Sequence, residues 1–143
     1  MLSERRRRVY LAGQWNEHDN NWKQTFKQIS GIEFYDPEID SDQSSPDKYF
    51  PQDLEGIASS IMMVANPGIA PSEATWMEVG YFYALNTKVP GERCPRLIIV
   101  WKEERTPKWS VGFIQMAGIL VNSIEEARDE LLKFTNSDRK LGQ

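Results

Sequence analysis

The sequence predicts an α/β fold: a doubly wound, five-stranded, mostly parallel sheet in the order 2-1-3-4-5, with helices on both faces in three layers. Two observations carry this. Short β-prone runs alternate with segments of helical period, and the strand runs are apolar throughout instead of alternating. Strands apolar on both sides belong to a sheet covered on both sides, and parallel neighbours need the crossover helices that the alternation supplies. No internal repeat or linker interrupts the pattern, so the 143 residues read as one domain, 1–143, with frayed ends at about 1–7 and 136–143.

The elements follow in order. Val9-Tyr10-Leu11-Ala12-Gly13 is a buried first strand that runs into a loop at Gln14-Trp15. Asn20 to Ile29 carries Trp22, Phe26 and Ile29 at helical spacing, Gly31 stops it, and Ile32 to Tyr35 forms a second strand closed by Asp36-Pro37. Asp36 to Tyr49, rich in Asp, Ser and Pro, reads as a long surface loop serving as a lid or pocket wall. Pro51 suits the first turn of a helix over Gln52 to Ser59, with Leu54 and Ile57 inward, and Ser60 to Ala65 is a third strand. Ser72 is placed to cap a helix running to about Leu85, and Arg96 to Trp101 is a fourth strand. Val111 to Met116 forms a short helix and Gly118 to Val121 a fifth strand. Ser123 with Glu126 makes a capping box for a last helix ending near Phe134.

Composition removes several classes of function. A net charge of −4 argues against a nucleic-acid polymer as partner, because phosphate backbones are held by excess Lys and Arg. The run Arg5–Arg8 reads as a solvated lead-in to the first strand and is assigned no function. The lone Cys94 makes no internal disulfide, the charged N-terminal residues precede no apolar leader, and no window is long enough to cross a bilayer. The expectation is a cytoplasmic protein with no membrane partner. A single histidine, His18, excludes Ser-His-Asp and multi-His metal sites, and with one Cys no zinc set exists, so no metal and no cofactor is expected. The P-loop and dinucleotide glycine motifs are absent, and Asp36, Glu38, Asp40 and Asp42 lack the glycine and terminal glutamate of an EF-hand.

In the 2-1-3-4-5 order the switch point lies between the first and third strands, and ligands bind at the carboxyl ends there. That crevice receives Gly13, Gln14 and Trp15 from the first strand and Asn66 to Ser72 from the third. Asp53, in the first turn of its helix, and Glu78 reach it from above. Glu78 is the anomaly: Ala74 to Leu85 is apolar nearly all round, so the helix should be largely buried, yet one carboxylate stands in its middle. An unpaired buried carboxylate costs several kcal/mol, and such groups persist where they do chemistry; a structural ion pair or an exposed helix edge explains it equally well. Gly80 inside the same helix suggests that something packs close to the backbone.

The segments VYLAGQW (9–15), QDLEGI (52–57) and PSEATWMEVGYFYAL (71–85) resemble the nucleoside 2-deoxyribosyltransferase family, in order and spacing, over roughly Val9 to Trp101. The resemblance implies a flavodoxin-like, Rossmann-like sheet and a glutamate nucleophile, matched by Glu78, that takes the 2-deoxyribosyl group as a covalent glycosyl-enzyme. It further implies that Tyr10 orients the nucleophile, that Asp53 handles protons at the leaving base, and that Trp15 walls the base pocket. Gly13, Gln14 and Ser72 complete the substrate-binding set. The partners implied are a nucleoside or nucleotide and a free nucleobase, in a homo-oligomer whose neighbouring subunits reach into each other's sites.

Two positions depart from the family pattern. Where the transferases carry an Asp for the sugar 5′-hydroxyl, six residues before the nucleophile, this chain has Ser72. The related nucleoside 5′-monophosphate N-glycosidases are similar and carry Ser there, which suits a phosphate at a helix N-terminus. Glu73 beside it would repel a phosphate, which favours the nucleoside. Where the family places Asn or Ser two residues before a Met, Ile114 precedes Met116, and no role is assigned to either. The reading is therefore N-glycosyl transfer between nucleobases, with a monophosphate hydrolase as the alternative and a non-catalytic nucleotide-binding module as the second.

Overall fold

The computed structural model describes residues 7–13, 21–68, 72–101 and 108–141, with side chains described for 112–136 in the last of these stretches. Eleven elements alternate along them: β1 (Arg8–Ala12), α1 (Trp22–Lys27), β2 (Glu33–Tyr35), α2 (Pro37–Asp40), α3 (Pro46–Ala58), β3 (Met62–Ala65), α4 (Glu73–Asn86), β4 (Leu97–Val100), α5 (Lys108–Ala117), β5 (Ile119–Val121) and α6 (Ile124–Leu141). The five strands form one sheet in the order β2-β1-β3-β4-β5. All four pairings are parallel, with Val9 opposite both Phe34 and Met62. The predicted α/β architecture is the one observed.

Side-chain alternation along the strands divides the core in two. Val9, Leu11, Met62, Val64, Ile98 and Val100 face α1 and α6 through Trp22, Phe26, Ala127 and Leu131. Tyr10, Ala12, Met63, Ala65, Leu97 and Ile99 face the opposite layer, where α3 and α4 supply Ile57, Val79 and Phe82. Each fully buried aliphatic or aromatic side chain contributes roughly 1.5–3 kcal/mol, so the two faces together supply the main driving force for the fold. Arg8 ties the sheet at its amino edge: its guanidinium donates to Ser59 Oγ at 2.8 Å and to Glu33 Oε1 at 2.7 Å. Among the described residues no helix is long and apolar enough to cross a membrane.

Four expectations are corrected. The segment read as a loop from Asp36 to Tyr49 contains α2 and the first turn of α3. Asp36 caps α2 by accepting from the Glu38 N–H at 3.1 Å, with Pro37 at its first position. Helix α3 starts at Pro46, so Pro51 lies inside it. The bond Pro51 cannot make is the one to the Asp47 carbonyl, on an exposed first-turn residue that water can serve. Helix α6 continues past Phe134 to Leu141, beginning at a capping arrangement in which the Glu126 N–H donates to Ser123 Oγ and the Glu126 carboxylate accepts from the Asn122 N–H.

The fourth correction concerns α4. Only Thr75, Val79 and Phe82 are buried, whereas Met77, Tyr81 and Leu85 are 64%, 36% and 42% exposed. The helix lies across the sheet with one apolar face turned outward. Nor, among the described residues, does anything pack at Gly80, which has none of their atoms within 4 Å of where a Cβ would stand.

Candidate active site

The carboxyl edge at β1 and β3 is built around a close approach. Gly13 follows β1 with φ of 131°, and a Cβ there would overlap the carbonyl oxygen of Asn66 after β3, so this turn requires glycine. Above that edge opens a cleft of about 540 Å³, within the usual range for small-molecule sites. Its floor is Gly13 and one wall is α4, through Ala74, Thr75, Met77, Glu78 and Tyr81. The other wall is Asp53 and Leu54 with Tyr49 and Phe50 of α3, joined by Pro37, Glu38 and Gln43. The Asp36–Tyr49 stretch is thus the pocket wall that the sequence suggested, built in part from helix.

Asp53 reaches the cleft from the middle of α3 instead of its first turn. Helix α3 has 13 residues and β3 has 4, roughly 20 Å against 13 Å. The amino-terminal turns of α3 therefore overhang the sheet, and Asp53, in the turn that follows them, lines the cleft at the sheet's edge. One of its oxygens, Oδ1, is buried and has no hydrogen-bond partner among the described residues. A buried acceptor left without a donor costs free energy that a ligand donor recovers. Burial raises the Asp53 carboxyl above its usual range, against opposing contacts from Ser41, Lys23 and Tyr35.

Glu78 hangs into the same cleft and accepts a short hydrogen bond from the hydroxyl of Tyr10, which is fully buried in the centre of β1. Burial pushes the Glu78 carboxyl up to about 7. The Tyr10 hydroxyl pulls it down, the charge of Asp53 pushes it up and Lys23 pulls it down again. Tyr10 itself is raised far above the ordinary phenol, first by burial and then by Glu78, so it stays a donor. Two of the carboxyls lining the cleft, Glu78 and Asp53, are shifted upward, one clamped by a phenol and the other with an oxygen that has no partner among the described residues. Such a pair can put a nucleophile and a proton donor on one substrate.

The structure brings together Tyr10, Gly13, Asp53 and Glu78. Ser72 sits at the head of α4 as expected, yet its side chain makes no cap hydrogen bond and it stands just outside the residues lining the cleft. Gln14 and Trp15 lie outside the described residues. Sequence reasoning missed Gln43, Tyr35 and a buried ion pair. Lys23 Nζ meets Asp36 Oδ1 at 2.6 Å and Glu38 Oε1 at 3.0 Å, and Lys27 meets Asp36 Oδ2 at 2.8 Å. Burial acts to raise the Asp36 carboxyl, and the hydrogen bonds of the two lysines overcome it and hold it low. The signal available was Lys23 and Lys27 on one side of an amphipathic helix that ends near the Asp-rich turn.

No protein-family model and no curated relative matches the chain. Among solved structures it is similar to the 2-deoxyribosyltransferase of the psychrotolerant bacterium Bacillus psychrosaccharolyticus, described as a biocatalyst for synthesis of antiviral and antitumoral nucleosides. The TM-score is 0.61 at 16% identity, over 85% of this chain and 90% of that one. The likeness shows a shared fold.

Proposed function

We propose that the chain, acting as one 143-residue domain, transfers a 2-deoxyribosyl group between nucleobases through a covalent glycosyl-Glu78 intermediate. The observation that carries this is the pairing of Tyr10 with Glu78 across a cleft from Asp53, whose Oδ1 has no partner among the described residues. A likeness in fold to a 2-deoxyribosyltransferase supports it.

In the first step a Glu78 oxygen bonds to C1′ while the C1′–N bond breaks, its electrons going to the base, which takes the proton of Asp53. In the second, a nitrogen of the incoming base attacks C1′, the ester C–O bond breaks to restore the Glu78 carboxylate, and Asp53 recovers a proton. Tyr10 donates to Glu78 when it is an anion, and Gly13 leaves the floor open for the sugar. Gln14 and Trp15 are proposed to contact the base. The steps balance without an added cofactor.

Hydrolysis of nucleoside 5′-monophosphates is the second reading, and one observation favours it: the Ser72 hydroxyl, at the start of the 14-residue α4, is not spent on a cap. Water would then replace the incoming base. A homo-oligomer is also proposed, supported by the exposed row Met77, Tyr81 and Leu85 beside the cleft.

Incubation with deoxyadenosine plus cytosine, and separately with deoxynucleoside monophosphates, followed by chromatography, separates the readings. A deoxycytidine peak supports transfer, and base released only from monophosphates supports hydrolysis. Loss of either activity in a folded Glu78→Ala variant is expected. Retained turnover there would refute the nucleophile, and no product from any substrate would refute the enzymatic reading.

A further inference from the structure

Tyr35, the last residue of β2, has no part in the mechanism above, yet it touches both of its halves. Its ring stacks on Tyr10, with centroids 5.3 Å apart and planes 12° from parallel. Tyr10 in turn donates to Glu78. The Tyr35 hydroxyl donates to the backbone carbonyl of Gln52, the residue before Asp53, at 3.2 Å, and its presence there acts to lower the Asp53 carboxyl against the rise that burial causes. Where α3 meets the ring it has no side chain to offer: a Cβ on Gly56 would stand 2.8 Å from two of the Tyr35 ring carbons. That is closer than carbon atoms approach, so the slot for the ring exists because residue 56 is glycine.

We propose that Tyr35 is a positioning residue that holds the proton donor Asp53 and the nucleophile's partner Tyr10 in fixed relation, its hydroxyl serving the first and its ring the second. The proposal rests on the glycosyl-transfer reading for its kinetic consequences and on the geometry alone for its structural one. The stack fixes the sideways position of Tyr10, whose only polar atom reaches Glu78. The hydroxyl, bonded to the backbone one residue before Asp53, fixes the turn of α3 that carries that carboxyl, whose Oδ1 has no partner among the described residues. Misplacement of a reacting group by about 1 Å can cost on the order of a hundredfold in rate, so a bridge of this kind has a measurable value. Burial and the charge of Asp53 push the Tyr35 phenol up to about 12, which keeps its proton in place over the working pH range.

The two functions separate by substitution. Tyr35→Phe keeps the stack and removes the hydroxyl, whereas Tyr35→Leu removes both. Turnover is measured on deoxyadenosine, whose base needs a proton to leave, and on 7-methyldeoxyguanosine, whose base is already cationic and departs without one. The expected result for Tyr35→Phe is a loss of about tenfold on the first substrate and under twofold on the second. Tyr35→Leu is expected to lose rate on both, since the Glu78 side is disturbed too. Equal losses on the two substrates in Tyr35→Phe, or no loss on either, would overturn the proposal.

A second measurement needs no turnover. The Asp53 carboxyl is titrated by carbon NMR in the wild type and in Tyr35→Phe. Its midpoint is expected to move upward when the hydroxyl is removed, and an unmoved midpoint overturns the contact. If the wild type is silent on every substrate while the midpoint still moves, the positioning of Asp53 stands and the glycosyl-transfer reading falls.

Discussion

Glu78→Gln removes a charge from the cleft while keeping the size of the side chain and an oxygen to accept from Tyr10. The Glu78 carboxyl is pushed by burial from its usual 4.5 up to about 7, so between those values the folded chain holds a proton that the unfolded chain has released. Stability is then highest below 4.5 and declines as pH rises through the window, the full penalty being reached above 7. At about 1.4 kcal/mol per pH unit the penalty comes to about 3 kcal/mol at pH 8 and about 1 kcal/mol at pH 5. Glutamine carries no such penalty. Urea unfolding followed by tryptophan fluorescence is expected to show the variant more stable than the wild type by up to about 3 kcal/mol at pH 8, shrinking to about 1 kcal/mol at pH 5. The same variant is expected to lose turnover. An offset in stability that is identical at the two pH values would show that Glu78 titrates alike in both states, and the argument from its burial would be refuted.

Tyr10→Phe removes the hydroxyl that pulls the Glu78 carboxyl down. The acid limb of kcat/KM should therefore move to higher pH, with a loss of about tenfold near neutrality; an unmoved limb in a pH–rate profile would contradict the pairing. Lys23→Met leaves the buried Asp36 carboxylate with Lys27 as its remaining cation among the described residues. Breaking a buried pair from one side should cost about 3 kcal/mol in urea unfolding, and a loss under about 1 kcal/mol would mean that the pair is solvated.

The strands were legible because a sheet covered on both faces writes itself as unbroken apolar runs, as in Val9 to Ala12 and Leu97 to Val100. Glu78 stood out for a related reason, a charge where the pattern has none. Pro51 fits a first turn so well that local pattern favours a start there over Ser45-Pro46, where α3 begins. Helix α4 misled because apolar content does not say whether a face meets the core or the surface, and Met77, Tyr81 and Leu85 meet the surface. Gly80 suggests a packing contact in the sequence, yet no atom of the described residues stands near where its Cβ would be, whereas Gly56, which does make room for a ring, carries no local sign. Its partner Tyr35 lies 21 positions away in sequence, and the pairing of Lys23 with Asp36 likewise depends on how α1 settles against the end of β2. Contacts of that kind come from the tertiary fold, which local pattern does not encode.

The interior place of β1, between β2 and β3, also governs how the chain reaches its native state. Val9 is hydrogen-bonded in register with the neighbourhoods of both Phe34 and Met62, so the first strand gains its inner neighbour only after more than fifty further residues have been ordered or made. Long loops closed before any reward make parallel sheets slow to assemble, and during synthesis the inner edge of the greasy run Val9 to Ala12 stays unpaired until β3, ending at Ala65, has left the ribosome. Brief shielding by a chaperone, or a pause in translation beyond β3, should therefore raise the yield of native chain more than strengthening any contact in the finished molecule.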